Sequence, residues 1–158
     1  MRLETQIAGH TVALMKENEI ATAVVKAAYK LHTGMGPGVF ETVYEVCLAH
    51  ELREHGYRVE RQVPVPIVWD GIKFDEGFRA DLIVDDCVLI ELKSIQALEP
   101  VHSKQVLTYL RLTKKRLGLL INFGAMRIKD GIKRIVNGLP DEKDPSFRSE
   151  PLRLCAFA

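Results

Sequence analysis

Asp81, Glu91 and Lys93 are the residues of this chain whose types and spacing point most directly to chemistry. From Phe74 to Val84 the apolar residues Phe74, Phe78, Ala80, Leu82 and Val84 share one phase, and Lys73, Asp75, Arg79 and Asp81 hold the other. The run that follows alternates too, with Val88, Ile90 and Leu92 against Leu89, Glu91 and Lys93. To put both apolar phases on one buried face, the connecting loop must be odd-numbered, and Asp85-Asp86-Cys87 supplies three residues. Val84 then pairs with Val88, and Asp81 falls opposite Glu91. Like charges facing each other across an antiparallel pair repel. A divalent cation would relieve that repulsion, and hard carboxylate oxygens suit Mg²⁺ or Mn²⁺. A plain cross-strand charge cluster, with Lys93 bridging the two acids, accounts for the same pattern without a metal.

The surrounding sequence states how these residues are positioned. Ile20, Val24, Ala27, Ala28 and Leu31 recur at helical spacing over Glu19 to Leu31, and Gly34-Met35-Gly36-Pro37-Gly38 breaks the chain. A second helix is predicted from Val39 to Glu54, with Phe40, Val43, Cys47 and Leu48 as its apolar stripe and Gly56 at its end. Val59 to Trp69 reads as an edge strand, because Pro64 and Pro66 lack donors. Asp70-Gly71 then makes a two-residue turn that registers Ile67 with Phe74 and Val63 with Phe78. Pro100 opens a helix reaching about Thr113, Leu117 to Phe123 is a strand covered on both sides, and Ile132 to Val136 is a late strand. Strand, helix and buried strand in that order require a crossover, which makes the last of them parallel to the Glu91 strand. The fold class is therefore α/β in the α+β sense, a mixed sheet with helices packed on it. One domain, residues 1–138 with its core over 20–137, is followed by a polar C-terminal tail, 139–158, in which Leu152, Leu154 and Phe157 are the residues able to dock.

Composition narrows the class of function. With 158 residues, 47% hydrophobic and 27% charged, the chain reads as an ordinary globular domain. No apolar run approaches membrane-spanning length, and no signal-peptide stretch follows Met1, so a cytoplasmic location without a membrane partner is expected. Cys47, Cys87 and Cys155 are widely spaced, which argues against both a disulfide framework and thiolate zinc. A net charge of +1 is no electrostatic magnet. Lys104, Arg111, Lys114, Lys115 and Arg116, and separately Lys129, Lys133 and Arg134, do form local basic clusters. They read either as a rim for nucleic acid or as solvated helix faces.

Asp81, nine intervening residues and Glu91-Leu92-Lys93 resemble the metal-binding signature of the PD-(D/E)XK nuclease superfamily. Gly38-Val39-Phe40-Glu41-Thr42-Val43-Tyr44 resembles the motif that names the GxxExxY family, a small bacterial and archaeal group assigned to that superfamily. Arg79-Ala80-Asp81-Leu82 and the series His102, Gln105, Tyr109 extend the resemblance over roughly Ile20 to Asn137, with Ala80 where the superfamily name has proline. The resemblance implies a restriction-endonuclease-like core: helix, three-strand antiparallel meander, crossover helix, parallel strand. It also implies Mg²⁺ or Mn²⁺ on Asp81, Glu91 and the backbone carbonyl of Leu92. Lys93 would orient the Mg-activated water or offset charge on the phosphate, and Glu41 would add an acid from the first core helix. Gln105 would bond the attacking water or a phosphate, with Tyr44, His102, Tyr109 and Arg79 supporting.

Each supporting residue also has a plainer reading. Glu41 suits a helix N-terminus, Tyr44 suits packing, Gln105 suits solvent, His102 suits a helix cap, and Arg79 suits neutralising the two carboxylates, while Tyr109 shares one polar stripe with His102 and Gln105. Two functions follow from different classes. One is a metal-dependent phosphodiesterase on DNA or RNA, a homodimer if it cuts duplex. The other is a catalytically silent module of the same shape that holds nucleic acid or a protein partner.

Overall fold

The computed structural model of the chain describes residues 2–138, with side chains from residue 16 onward. The expected tail, its docking residues Leu152, Leu154 and Phe157, and Cys155 lie outside the described residues. In chain order the elements are α1 (Arg2–Met35), α2 (Glu41–Glu54), β1 (Val59–Trp69), β2 (Ile72–Val84), β3 (Val88–Lys93), α3 (Pro100–Thr113), β4 (Leu117–Asn122), α4 (Ile128–Gly131) and β5 (Ile132–Val136). The sheet runs β1-β2-β3-β4-β5, antiparallel except for the parallel β3–β4 pair. This is the mixed α+β architecture expected of a restriction-endonuclease-like core. The helix from Pro100 and the buried run after it thus take their expected places. Ile132–Val136 is the late strand, while the short α4 before it carries no clear periodic signal.

Two apolar layers hold the sheet. On one face Leu82, Val84, Val88, Ile90, Leu92, Leu117, Leu119 and Ile121 pack with Ile20, Val24 and Ala28 of α1 and Tyr44, Leu48 and Leu52 of α2. On the other, Ala80, Ile83, Leu89 and Leu120 pack with Val106, Tyr109 and Leu110 of α3. Every residue of β4 is buried, which is why its sequence is almost continuously apolar. Asn122 at its end is buried as well. Its side chain accepts from Ile95 N at 3.0 Å and donates to Ile95 O at 2.9 Å, pinning the chain as it leaves β3.

The loop length read from alternation is the observed one: Val84↔Val88, Ile83↔Leu89 and Leu82↔Ile90 pair around Asp85-Asp86-Cys87. Two expectations for β1 and β2 require correction. Ile67↔Phe74 is present, but Phe78 lies opposite Val65, and Val63 opposite Ala80. The register shifts because Pro66 has no N–H for the ladder, so it alone on β1 faces Asp75, Glu76 and Gly77 on β2. Gly77 is required there: a Cβ would overlap the Ile67 side chain.

The second correction concerns the single apolar face expected for Phe78, Ala80, Leu82 and Val84. Phe78 and Ala80 pack toward α3, whereas Leu82 and Val84 pack toward α1 and α2. Strand β1 changes sides at the same level, Val59 toward α1 and α2, Val63 toward α3. Regular extended strands would keep each such pair on one face. Between them stands Gln62 with φ 51, a left-handed residue inside a strand whose register is kept on both sides, Arg61↔Leu82 and Val63↔Ala80. The paired strands therefore turn over together at the level of Gln62 and Asp81. Beyond the turn they form a two-stranded arm with Val68, Trp69, Ile72 and Phe74 exposed at its tip.

Candidate active site

Where β2 turns over, it parts from β3. Leu82↔Ile90 is the last ladder pair, and one step further the Asp81 carboxylate takes the place of a strand neighbour, its Oδ2 accepting the Leu92 N–H at 2.8 Å. Glu91 sits beside this fork with 5% of its surface exposed. Its Oε1 accepts from Lys93 Nζ at 2.7 Å, and its Oε2 is buried with no hydrogen-bond partner among the described residues. A buried carboxylate oxygen without a partner is costly, and few survive in folded proteins.

The electrostatics record the same frustration. Burial, then the nearby Asp81 charge, push the Glu91 carboxyl up from 4.5 to about 7. Burial also raises Asp81, against the lowering effect of the Leu92 hydrogen bond, and Glu41 and Glu45 raise it further. For Lys93, burial works against the charged form, but the hydrogen bond and charge of Glu91, then Glu41 and Asp81, carry its pKa upward overall. Lys93 therefore stays an ammonium.

The other sequence-predicted residues fall into two groups. Glu41, in the first turn of α2, lies near enough that its charge acts on Asp81, Glu91 and Lys93 alike. It is placed by a chain entry that is itself fixed, since the Ser94 hydroxyl donates to Val39 O at 2.8 Å. Tyr109 of α3 also borders the pair: burial and then the Glu91 charge raise its hydroxyl. Its ring stacks on Phe78 at 3.4 Å, and the Gln105 amide donates to its oxygen. Gln105 thus reaches the site's edge through Tyr109.

The remaining three are engaged elsewhere. Tyr44 stacks on Phe123 at 4.2 Å and donates its hydroxyl proton to Gly36 O, bracing the Gly-rich entry to α2. His102 Nδ1 accepts the Glu99 N–H at 2.9 Å and so caps α3. Arg79 is paired with both oxygens of Glu76 at 3.0 Å on the exposed arm. Several of the clustered bases likewise serve the fold: Arg116 pairs with Glu17, Lys115 with Asp86, and Arg134 donates to Asn18.

Residues 18–135 match the family model described as the PD-(D/E)XK nuclease superfamily. The chain belongs to that superfamily. Comparison with curated proteins and with solved structures gave no match. Superfamily nucleases generally use divalent metals and bind nucleic acid, and no helix among the described residues is long and apolar enough to cross a membrane.

The cluster around Asp81, Glu91 and Lys93 includes three further residues that sequence reading missed. Glu45, 4% exposed, accepts from Arg61 Nε at 2.9 Å and from Gln62 Nε2 at 2.7 Å, and the same Gln62 nitrogen lies 3.3 Å from Asp81 Oδ1. The available signal was a glutamate on the buried stripe of α2, beside Tyr44 and one turn before Leu48 and Ala49. Among the described residues no three His, Cys, Asp or Glu groups converge as a ready metal cage. The donor set does fit a hard divalent cation that keeps most of its ligands as water: two adjacent carboxylates, one with a buried oxygen lacking any partner.

Proposed function

We propose that this site hydrolyses phosphodiester bonds in nucleic acid, with DNA as the first substrate to test and RNA as the second. The observation that carries the reading is Glu91 Oε2, buried beside Asp81 with no hydrogen-bond partner among the described residues, a demand that a cation would meet. Asp81, Glu91 and the Leu92 carbonyl would hold Mg²⁺ or Mn²⁺, with Glu41 contributing directly or through water. Bound there, the metal would supply Lewis-acid polarisation of the phosphate and a more acidic water.

The chain's own groups supply the rest. Lys93, kept charged by Glu91, offsets negative charge growing on the phosphate in the transition state. Gln105, its amide nitrogen held by the Tyr109 hydroxyl, would offer its carbonyl oxygen to the attacking water. Arg79 would reach a phosphate only by exchanging Glu76 for it. Gly38, Glu41 and Tyr44 support placement in the GxxExxY family, and cutting duplex would call for a homodimer with two such sites. A cytoplasmic nuclease is the reading these features favour together.

One observation favours the second reading, a silent module that binds nucleic acid or a protein: the lack of a converged three-donor cage among the described residues. The two separate cleanly in a nuclease panel of single-stranded, duplex and structured DNA and RNA, with Mg²⁺ or Mn²⁺, run on the intact protein, Asp81→Ala and Lys93→Ala. Cleavage lost in both variants supports the enzyme. Binding without cleavage in all three proteins supports the module.

A further inference from the structure

The sheet turns over at a glutamine, although glycine or asparagine is the usual residue for a left-handed backbone. If the fold needed only the turn, the amide would be superfluous. We propose that Gln62 is a positioning residue for Asp81, held in its strained conformation so that its side-chain amide reaches into the fork between β2 and β3. This inference rests on the reading of Asp81 and Glu91 as the metal-binding pair.

The geometry supports it from both ends. Arg61 and Gln62 are consecutive, and in an extended strand consecutive side chains point to opposite faces. Yet both reach Glu45, at 2.9 Å and 2.7 Å, which the left-handed φ of Gln62 makes feasible. Glu45 is buried and has both oxygens occupied, so it serves as a fixed anchor. Held by that anchor, the Gln62 nitrogen lies 3.3 Å from Asp81 Oδ1, while Leu92 N–H holds Oδ2 at 2.8 Å. Asp81 is thus gripped at both oxygens, its plane set by a strand on either side. Strained backbone in a folded protein recurs at sites where side-chain placement matters.

The test compares wild type, Gln62→Gly, which keeps the left-handed backbone and removes the amide, and Gln62→Asn, which tolerates the backbone but has a shorter reach. Asp81→Asn runs in parallel. Mn²⁺ binding is read by calorimetry, and hydrogen exchange of the Leu92 amide is read in metal-free protein. We expect Mn²⁺ affinity to fall roughly tenfold to a hundredfold in Gln62→Gly and by less in Gln62→Asn, as for groups that orient metal ligands. The Leu92 amide should exchange faster while Leu89 and Ile90 stay protected, and kcat should fall with KM unchanged. Wild-type Mn²⁺ affinity and Leu92 protection in both Gln62 variants would overturn the inference, leaving Gln62 as a turn residue only. If Asp81→Asn binds Mn²⁺ like wild type, the metal-pair reading fails instead. In that case Leu92 exchange alone decides whether Gln62 holds Asp81.

Discussion

Glu17 and Glu91 are equally buried, 4% and 5% exposed, yet their surroundings differ completely. Glu17 receives Arg116 through two nitrogens, Nε at 3.1 Å and a terminal nitrogen at 3.0 Å, so each oxygen has a donor in a fork geometry. Glu91 has one lysine on one oxygen, no partner among the described residues on the other, and a second carboxylate beside it. The first arrangement joins α1 to the start of β4 and is complete as it stands. The second leaves one oxygen without a donor among the described residues, a demand that a cation would meet. Burial alone therefore does not mark a functional acid. The unmet demand of its oxygens is what the proposed reading takes as the mark of one.

The contrast can be broken from the structural side first, where the largest effect is expected. Arg116→Ala leaves Glu17 buried without its main partner and should cost about 3–5 kcal/mol in urea unfolding, with the response to Mn²⁺ unchanged. A loss below about 1 kcal/mol would mean that Glu17 is no better satisfied than Glu91.

The next effect should be a pH dependence without metal. Glu91 keeps its proton in the folded state to about 7, whereas its ordinary value is 4.5. Between those values the folded protein holds more protons than the unfolded chain. Its stabilising contribution is therefore full below about 4.5 and is lost as pH rises to about 7, by up to about 3 kcal/mol. Urea melts from pH 4 to 8 should show that fall, and Glu91→Gln should flatten it. A smaller effect, on the order of 1 kcal/mol, is expected from a few millimolar Mg²⁺ at pH 8, because a site that waits for substrate phosphate binds near the millimolar range. That gain should vanish in Asp81→Asn and persist in Lys93→Ala, since lysine provides charge at the phosphate and no metal ligand.

Alternation reveals the hairpin loop, and with it the neighbourhood of Asp81 and Glu91, because parity admits only odd loops when both strands bury one phase. The crossover and the buried β4 were equally legible from Pro100 and the run Leu117 to Ile121. What alternation misses is the point where it stops. Gln62 has no left-handed signature, so nothing local announces that Phe78 and Ala80 face α3 while Leu82 and Val84 face α1 and α2. Glu45 was hidden for a related reason: its partners Arg61 and Gln62 sit on a different element, 16 and 17 positions away. Arg79 shows another limit of phase. It shares a phase with Asp81, but its guanidinium pairs with Glu76, three residues earlier on the same strand.

On the proposed reading, Asp81 and Glu91 form a cation site completed by a divalent metal. Calorimetric titration of Mn²⁺ into the metal-free wild type and into Asp81→Asn tests it most directly. The predicted result is one Mn²⁺ per chain, near-millimolar, in wild type and no binding heat in Asp81→Asn. Equal heats in the two proteins, or none in either, would contradict it.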